Sequence, residues 1–469
     1  MKHDQVFTPS FIVNKMLGLI DYNNESAFRK KIFEPSFGDG AFLRPIVERI
    51  VKYVKESNGS QDDLFLLLNN IYGVEIDTLH YENAINSLNH ILEKHGYEQY
   101  NWVHLKNDNF LYYEWPTQFD YIVGNPPYVR IHDIEDDWRK VLSKQCVFCK
   151  GNTDLYIAFF ELCLNHLSSW GKLCFISPNS WIKNSSQRPF RKFLKDNGFV
   201  KKIIDYGQNE VFNKVATYTC ITLLDKAYSE SIEYELMKSL SESSFSTTVK
   251  KYRLSDKAWY FYSDNDKVFL DGLNKRDLTL GDVCTIQYGL ATNADKVYFV
   301  PESIIKEYEL EIEMIRPAIK ASTLEDKKVL FPYSWCDTKY IPISEDELKS
   351  CYPKIYQYLL DNKEILTHRD MESGTAWYQY ARGQGYQNSN HKKIVIKHVV
   401  GPDDKTCLVR LTDEQTLVYS GIYIIPKDGY DINKIANVLT SKDFCRYVKI
   451  CGKDMSGGYT SFNTKTISD

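Results

Sequence analysis

The first 225 residues of the chain alternate between short apolar runs and longer amphipathic stretches. Apolar residues recur at three- and four-residue spacing from Phe42 to Val54 and again from Leu155 to Leu167, which predicts two helices with one buried face each. The apolar runs that predict β-strands are 30–34, 71–76, 119–124, 171–177, 200–206 and 219–225. This alternation is typical of an α/β domain with a mostly parallel sheet and helices on both faces. The last two runs lie so close together that we expect a hairpin between them.

The pattern changes after about residue 226. Residues 229–254 are polar and rich in serine, which predicts a linker or an exposed connection. From residue 255 to 469, short aromatic and β-branched runs are separated by Gly, Asp and Asn turns, as in 281–300 and 391–400. A chain of 469 residues also exceeds the size at which a single core stops growing. We therefore predict a first domain over 1–228 and a second, mixed α+β domain over 255–469.

Composition narrows the class of protein. Hydrophobic residues make up 43% and charged residues 26% of the chain, as in ordinary globular proteins. The net charge is −4, so a polyanionic partner would have to meet local positive charge. No run approaches the roughly 20 apolar residues of a membrane span, and the N-terminus lacks the apolar core of a secretion signal. We expect a cytoplasmic protein.

The cysteines favour the same compartment. The chain has 11, an odd number scattered along the sequence, which suits reduced thiols better than a disulfide framework. Cys146 and Cys149 form a C-x-x-C pair without a second pair or a nearby His at zinc-finger spacing. We therefore interpret these two residues as loop thiols and predict no metal.

In an open α/β sheet, ligands bind beyond the carboxyl ends of the strands. The first predicted strand is followed by Gly38 and Gly40, which allow a tight turn against a ligand and lead into a helix from Ala41. The second ends at Glu75, placed like the acid that binds ribose hydroxyls in nucleoside-binding folds. Both features also have a purely structural interpretation. Gly38 and Gly40 could simply form a tight turn, and Glu75 could be a solvated acid at the end of a strand.

Two further stretches lie beyond strand-like runs. Asp108 could accept a hydrogen bond from an adenine amino group, and Phe110 could lie on its ring. The run 119–124 is followed by Asn125-Pro126-Pro127-Tyr128, in which two prolines stop the strand because they cannot donate ladder hydrogen bonds. An amide and a phenol are thus held at fixed angles on a stiff turn.

The four strand-end features in this order resemble the gamma-class, TaqI-like DNA adenine methyltransferases. Residues 6–16 (VFTPSFIVNKM) resemble the cofactor-covering motif of that family and directly precede the glycine turn, as the gamma order requires. Further similarity extends over 151–167, 171–182 and 210–224. The second domain resembles the target-recognition domain of the family only loosely, at 280–300 and 456–466.

The resemblance implies an S-adenosylmethionine-dependent methyltransferase fold, with a doubly wound, mostly parallel, seven-stranded sheet in 1–228 and target recognition in 255–469. It implies S-adenosyl-L-methionine as cofactor and catalysis by Asn125, Pro126, Pro127 and Tyr128. The cofactor contacts that it implies are Thr8, Glu34, Pro35, Ser36, Gly38, Gly40, Glu75, Ile76, Asp108 and Phe110.

The residues Asn125-Pro126-Pro127-Tyr128, called the tetrad below, explain how an aromatic amine can become a nucleophile. The lone pair of such a nitrogen is delocalised into the ring. If the Asn125 side-chain oxygen and the Pro126 carbonyl each accept one N–H, the nitrogen becomes more tetrahedral and its lone pair can point at the methyl group. Tyr128 provides a face on which the base stacks. By resemblance, Asn rather than Ser at position 125 favours adenine N6 over cytosine N4.

A base in duplex DNA cannot reach this turn, so the enzyme must flip it out of the helix. The resemblance places Phe212 beside Tyr128 as a second wall of the base pocket, although Phe212 could equally be a hairpin core residue. The polar segment 131–152 is long enough to carry function and could close over the base.

Double-stranded DNA requires local positive charge, and two regions offer it. Residues 183–202 hold seven Lys or Arg against one acid, although a solvated helix face would look the same. In the second domain, 377–387 and 391–398 combine basic and aromatic residues. The candidate DNA contacts are Lys183, Arg188, Arg191, Lys192, Arg382, Lys392 and Lys393.

Other protein classes share the tetrad. Protein glutamine-N5 methyltransferases of release factors and some RNA guanine-N2 methyltransferases also activate a planar amide or amine. The motif at 6–16 and the roughly 240 residues beyond the sheet favour the DNA enzymes over both. A non-catalytic scaffold with a degenerate fold is disfavoured because every motif carries the expected chemical groups.

The position of the first motif also bears on partners. It begins within the first ten residues, so we expect no nuclease domain before it and a chain that modifies DNA without cutting it. A cognate restriction endonuclease would be a separate chain, and a solitary methylase is the alternative. We expect a monomer in the cytoplasm of a bacterial or archaeal cell.

Overall fold

The computed structural model describes residues 8–113, 115, 117–150, 153–207, 209–212, 218–254, 258–455 and 458–468. The motifs predicted at 6–16, 131–152, 151–167, 210–224 and 456–466 lie partly outside this set. The chain divides into two compact units, Met1–Ser263 (unit 1) and Asp264–Asp469 (unit 2). No helix in the described part of the chain is long and apolar enough to cross a membrane.

One large sheet organises unit 1. Its strands in the described residues are β1 (Ile32–Glu34), β2 (Ile71–Glu75), β3 (Leu105–Asn107), β4 (Phe119–Gly124), β5 (Leu167–Pro178), β6 (Val200–Asp205), β7 (Thr219–Asp225), β8 (Ser231–Met237) and β9 (Ser243–Lys250). They lie in the order β3-β2-β1-β4-β5-β7-β6-β8-β9. β1 to β5 pair in parallel, whereas β7 is antiparallel to β5 and β6. The first seven strands form the predicted doubly wound, mostly parallel sheet, and β6 and β7 pair as the predicted hairpin.

Helices cover both faces of this sheet. They are α1 (Ser10–Leu19), α2 (Glu25–Phe28), α3 (Leu43–Glu56), α4 (Gln61–Leu68), α5 (Thr78–Lys94), α6 (Asp136–Gln145), α7 (Leu155–His166) and α8 (Arg188–Asn197). Because side chains alternate along a strand, Ile32 packs in the core that contains α3, and Phe33 packs in the core that contains α7. The two cores hold the central strands, and therefore their carboxyl ends, in place.

The predicted linker is the main correction to the fold. Residues 231–250 form β8 and β9, which extend the sheet beyond the seven predicted strands. β9 is the edge strand, and its Ser, Thr and Lys side chains are largely exposed, while Phe245 and Val249 pack partly on the core. A strand exposed on one face and partly on the other lacks a strong apolar signal, which is why its sequence resembles a linker.

Unit 2 is a mixed α+β structure with four smaller sheets in the described residues. Their orders are β10-β19-β15-β17, β12-β11-β18, β13-β14 and β16-β21-β20. The strands are β10 (Cys284–Tyr288), β11 (Ile315–Lys320), β12 (Glu325–Leu330), β13 (Tyr333–Cys336), β14 (Lys339–Pro342), β15 (Lys393–Ile396), β16 (Val399–Val400), β17 (Val409–Thr412), β18 (Leu417–Tyr419), β19 (Ile422–Pro426), β20 (Lys453–Asp454) and β21 (Thr460–Ser461). The helices are α9 (Asp264–Leu273), α10 (Leu280–Val283), α11 (Asp295–Tyr298), α12 (Glu302–Glu307), α13 (Glu345–Cys351), α14 (Pro353–Asp361), α15 (Lys363–Thr367), α16 (Ile432–Leu439), α17 (Lys442–Cys451) and α18 (Thr464–Ser468).

Candidate active site

The tetrad lies at the carboxyl end of β4, in the centre of the sheet of unit 1. β4 pairs with β1 on one side and β5 on the other, and it ends at Gly124. Asn125 and Tyr128 follow on the diproline turn and are partly buried, whereas Pro126 is buried. The end of a central parallel strand is where α/β sheets place their ligands, so the turn presents its side chains at the expected edge.

Thr8 holds the side chain of Asn125. The Asn125 Nδ2 donates a hydrogen bond to Thr8 Oγ1 over 3.2 Å, and Thr8 is buried two residues before α1. Because Thr8 engages the amide nitrogen of Asn125, the amide oxygen of Asn125 lies on the other side of the amide group. The resemblance implied Thr8 as a cofactor contact, and the structure adds that its hydroxyl accepts a hydrogen bond that orients the catalytic candidate.

Tyr128 is fixed at both ends. Its hydroxyl donates to the Ile176 carbonyl over 3.3 Å, and its ring meets Phe212 edge to face with centroids 6.1 Å apart. Burial raises the pKa of the Tyr128 phenol well above its usual range, so the hydroxyl stays protonated at neutral pH. Phe212 is buried in the core of the sheet and also contacts Tyr128, so its two predicted roles are compatible. The Ile176 carbonyl had no signal in the sequence because every residue carries one.

The glycine turn is anchored by Glu75. Gly38 and Gly40 have φ of +54° and +86°, in the left-handed region that favours glycine. Glu75 is 3% exposed, and its two carboxylate oxygens accept N–H bonds from Gly38 at 2.8 Å and Asp77 at 2.9 Å. The interpretation of Glu75 as a solvated acid is therefore wrong. Burial raises the pKa of this carboxyl, opposed by the two hydrogen bonds.

Glu34 and Pro35 lie between the glycine turn and the tetrad, in contact with Gly124. It is 2% exposed, and its Oε2 atom is buried without a hydrogen-bond partner among the described residues. Burial, with the nearby Glu75, raises the pKa of Glu34 well above its usual range. Pro35 Cδ lies 3.5 Å from the position that a Cβ would occupy at Gly124. The carboxyl ends of β1 and β4 are thus in direct contact.

The remaining predicted cofactor residues differ in accessibility. Asp108 is exposed, and its backbone N–H donates to the Glu75 carbonyl over 3.0 Å. Ile76 is 52% exposed, which leaves an apolar surface next to the buried acid, and Ser36 is partly buried. Phe110 is only 7% exposed, because its ring packs against Phe159 with centroids 4.7 Å apart. Phe110 therefore belongs mainly to the core, and little of its ring is available for stacking.

The basic candidates of unit 1 separate into two groups. Lys183 and Arg188 are exposed, and the Lys183 ammonium lies 5.7 Å from the centre of the Tyr260 ring. Lys192 is exposed but forms an ion pair with Asp196. Arg191 is fully buried and donates to the Trp181 and Asn184 carbonyls at 2.6 and 2.7 Å. The prediction that Arg191 contacts DNA is therefore wrong, because its charge is used inside the fold.

The candidates of unit 2 separate in the same way. Arg382 and Lys392 are exposed, with acids at 3.2 Å (Asp370) and 3.9 Å (Glu414) respectively. Lys393 is fully buried, and its ammonium donates to the Asp413 and Thr416 carbonyls at 3.2 and 2.7 Å. Burial lowers the pKa of Lys393 to about 8. The prediction of a DNA contact at Lys393 is wrong for the same reason as at Arg191.

Sequence comparisons agree with the motifs. The family model of the Eco57I restriction-modification methylase matches residues 69–212, which include the tetrad. The Type II methyltransferase M.BstVI of Geobacillus stearothermophilus is 28% identical over 80% of this chain and 74% of its own. M.PaeR7I of Pseudomonas aeruginosa is 24% identical over 98% of this chain and 84% of its own. The Type II restriction enzyme and methyltransferase RM.Eco57I of Escherichia coli is 27% identical over 74% of this chain but only 39% of its own.

Solved structures show the same fold. The Type IIL restriction-modification enzyme MmeI, in complex with DNA, matches 98% of this chain with a TM-score of 0.65 and 14% identity, and this chain covers 65% of it. A nuclease-deletion mutant of the Type ISP enzyme LlaGI matches 93% with a TM-score of 0.56 and 14% identity, over 43% of its own length. The predicted S-adenosylmethionine-dependent methyltransferase fold with an additional domain is thereby confirmed. In its motifs, its sequence matches and its fold, the chain resembles the restriction-modification methyltransferases.

Proposed function

We propose that this chain is a site-specific DNA methyltransferase that transfers a methyl group from S-adenosyl-L-methionine to the N6 amine of a flipped adenine. The observation that carries the proposal is the tetrad at the end of β4, with Asn125 held by Thr8 and Tyr128 held by Ile176 and Phe212. The names of the relatives, which are Type II methyltransferases, support DNA as the substrate class.

The residues beside the tetrad fit the proposed cofactor. The left-handed turn at Gly38 and Gly40 lets a ligand approach the backbone closely, and Ile76 offers an exposed apolar surface for an adenine ring. The buried Oε2 atom of Glu34, which has no hydrogen-bond partner in the described part of the chain, suits a cationic donor such as an amino group. Each Glu75 oxygen keeps a further lone pair for a ribose hydroxyl. The cofactor supplies an electrophilic methyl group on a sulfonium; binding and orienting it is the task of these residues.

The tetrad prepares the target nitrogen. With its nitrogen branch bound to Thr8, the Asn125 amide presents its oxygen to one N–H of the adenine amine, and the Pro126 carbonyl accepts the other. Two fixed acceptors favour the tetrahedral nitrogen of the transition state over the planar nitrogen of the ground state. Tyr128 stays protonated and therefore contributes a stacking surface and not a base.

Reading of the DNA sequence is proposed for unit 2, which carries the exposed Arg382 and Lys392. In unit 1, the exposed Lys183 and Arg188 are proposed to contact phosphates. Exchange of Asp264–Asp469 for the corresponding part of a relative should change the methylated sequence and leave the chemistry intact. A folded chimera that keeps the original site would place recognition in unit 1. A monomer in the cytoplasm completes the proposal.

The substrate class is tested with methyl-labelled cofactor. The purified chain is incubated with unmethylated genomic DNA, with total RNA, or with a release factor, and Asn125→Ala serves as the matched control. We expect label in DNA alone, and only with the wild type. Label in the release factor or in RNA, with none in DNA, would identify one of the other classes that share the tetrad.

The roles of Asn125 and Tyr128 are tested by single-turnover methylation beside 2-aminopurine fluorescence at the target position. Asn125→Ala should lower the rate strongly with little change in DNA affinity. Tyr128→Ala removes a stacking surface worth about 1 to 3 kcal/mol, so it should weaken retention of the flipped base, and Tyr128→Phe should restore much of that loss. A Phe variant as impaired as the Ala variant would show that the hydroxyl does chemistry of its own.

A further inference from the structure

Three buried side chains that play no part in the proposed reaction meet next to α7. Cys146 follows the end of α6, Cys149 lies three residues later, and Glu161 projects from α7. All three are buried, and their two sulfur atoms and one carboxylate oxygen lie within 4.8 Å of one another. Sequence spacing identified the two thiols but not the third group, which is brought to them by the fold.

Glu161 occupies an unusual position for an acid. It is 7% exposed, and its two oxygens accept the backbone N–H groups of Val147 at 2.6 Å and Phe148 at 3.0 Å. Among the ion pairs of the described residues, none involves Glu161. A buried carboxylate without a cationic partner is costly. Two amide donors orient it towards the thiols, in the manner of outer-shell groups that position a metal ligand.

We propose that Cys146, Cys149 and Glu161 bind one divalent cation of the zinc class. Two thiolates and a carboxylate are ligands that zinc prefers, and a C-x-x-C pair is a common source of two of them. With metal–ligand distances of about 2.0 to 2.3 Å, the donors need to approach only slightly from their present separation. A water molecule would complete the tetrahedron.

The site would act on the segment that follows the tetrad. The two ends of this segment are joined by hydrogen bonds from Ile131 N–H to the Thr153 carbonyl (2.9 Å) and from Leu155 N–H to the Val129 carbonyl (2.7 Å). A cation between the end of α6 and the middle of α7 would add a third connection and hold α6, which begins eight residues after Tyr128, against α7. Metal binding does not depend on the proposed methylation, so each can fail without the other.

Binding exchanges protons for metal. Without a cation, the hydrogen bond with Cys146 and, secondarily, burial raise the pKa of the Cys149 thiol. Zinc is bound by thiolates, so binding releases thiol protons to the buffer, and its affinity should rise with pH. Oxidation of the pair to a disulfide would remove both ligands, so the measurement requires a reductant.

The test uses the full chain, stripped of metal and reduced, and titrates it with Co²⁺ as a spectroscopic probe for zinc. We expect one equivalent of Co²⁺ to give sulfur-to-metal charge-transfer absorption with tetrahedral d–d bands, which Zn²⁺ then displaces. Cys146→Ser and Cys149→Ser should weaken binding by about 100-fold or more, and Glu161→Gln by at least about 10-fold. Cys163→Ala, which removes a buried thiol two residues beyond Glu161 on the same helix, should bind like the wild type.

The wild-type titration tests the proposed metal site even if a variant fails to fold. Absence of charge-transfer absorption from the reduced wild-type chain, together with no rise in its Tm on addition of Zn²⁺, would overturn the proposal. Equal loss of the signal in folded Cys163→Ala and Cys146→Ser would also overturn it, because the metal would then bind elsewhere. If folded Glu161→Gln bound the metal with full affinity, Glu161 would not be a ligand, and the site would be an ordinary thiol pair.

Discussion

The hydrogen bond between Thr8 and Asn125 gives a sharp test of how the tetrad is oriented. Thr8→Val keeps the shape of the buried side chain but removes the hydroxyl that accepts from Asn125 Nδ2. Thr8→Ser keeps the hydroxyl and removes only a methyl group. The two variants therefore separate the loss of the hydrogen bond from the loss of packing.

The expected effect follows from the geometry of that bond. At 3.2 Å between two neutral groups it is an ordinary hydrogen bond, whose loss from a buried site costs about 1 to 3 kcal/mol. If the transition state depends on the oriented amide more than the ground state does, this corresponds to a rate about 5 to 150 times lower. DNA affinity should change little because neither charge nor aromatic surface is lost.

The assay is single-turnover methylation with saturating cofactor and DNA, with binding of each measured separately. We expect Thr8→Val to be slow and Thr8→Ser to be close to the wild type. A Val variant within twofold of the wild-type rate would refute the positioning role of Thr8. A Ser variant as slow as the Val variant would show that the methyl group, and not the hydrogen bond, is what matters.

Three further predictions concern buried and exposed charges. Burial raises the pKa of Glu34, so the unfolded chain loses this proton at a lower pH than the folded chain, and the stability of the cofactor-free protein should fall as pH rises towards the raised pKa. Glu34→Gln should therefore raise Tm relative to the wild type more at pH 8 than at pH 5. Calorimetry should show that the same variant binds the cofactor more weakly. Arg191→Met should lower the free energy of unfolding by about 2 to 4 kcal/mol in urea titrations, whereas Arg188→Ala should leave it unchanged and reduce the salt dependence of DNA binding by about one ion. Burial lowers the pKa of Lys393 to about 8, so between pH 8 and the ordinary lysine pKa the unfolded chain binds more protons than the folded chain. Relative to Lys393→Met, the free energy of unfolding of the wild type should therefore rise by up to about 3 kcal/mol across that pH range. Urea unfolding at the lower and the upper pH of the range measures this rise.

The central strands were predictable because they are buried on both faces. All six predicted strands are present, since continuous apolar runs such as 119–124 carry a strong signal. β3 was not predicted as a strand, because it has three residues and two of them, Lys106 and Asn107, are polar. β9 was missed because an edge strand needs apolar residues on one face only, and β8 was missed because only Ile232, Tyr234 and Met237 of its seven residues are buried.

Charge in the sequence did not show which basic residues are accessible. Arg191 lies between Phe190 and Leu194 on the buried face of α8, and this spacing could have identified it as buried. Glu161 interrupts an otherwise apolar run in α7, which likewise indicates a buried acid with a specific partner. The partners themselves, the N–H groups of Val147 and Phe148, come from backbone geometry that residue types do not encode.

The tetrad was predictable as a chemical unit but its support was not. Asn125 to Tyr128 are contiguous, so their chemistry can be read directly from the sequence. Thr8 lies 117 residues from Asn125 along the chain, and only the fold brings the two side chains together. The resemblance associated the Thr8 segment with the cofactor, and the structure shows its contact with the amide.

The chemical identity of the methylated nucleoside tests the proposed function most directly. DNA methylated by the wild-type chain and by Asn125→Ala is digested to nucleosides and separated by mass spectrometry against standards for N6-methyladenine, N4-methylcytosine and C5-methylcytosine. We expect N6-methyladenine alone from the wild type, and at most a trace from Asn125→Ala. A methylated cytosine as the main product, or an undiminished yield of N6-methyladenine from Asn125→Ala, would contradict the proposed reaction.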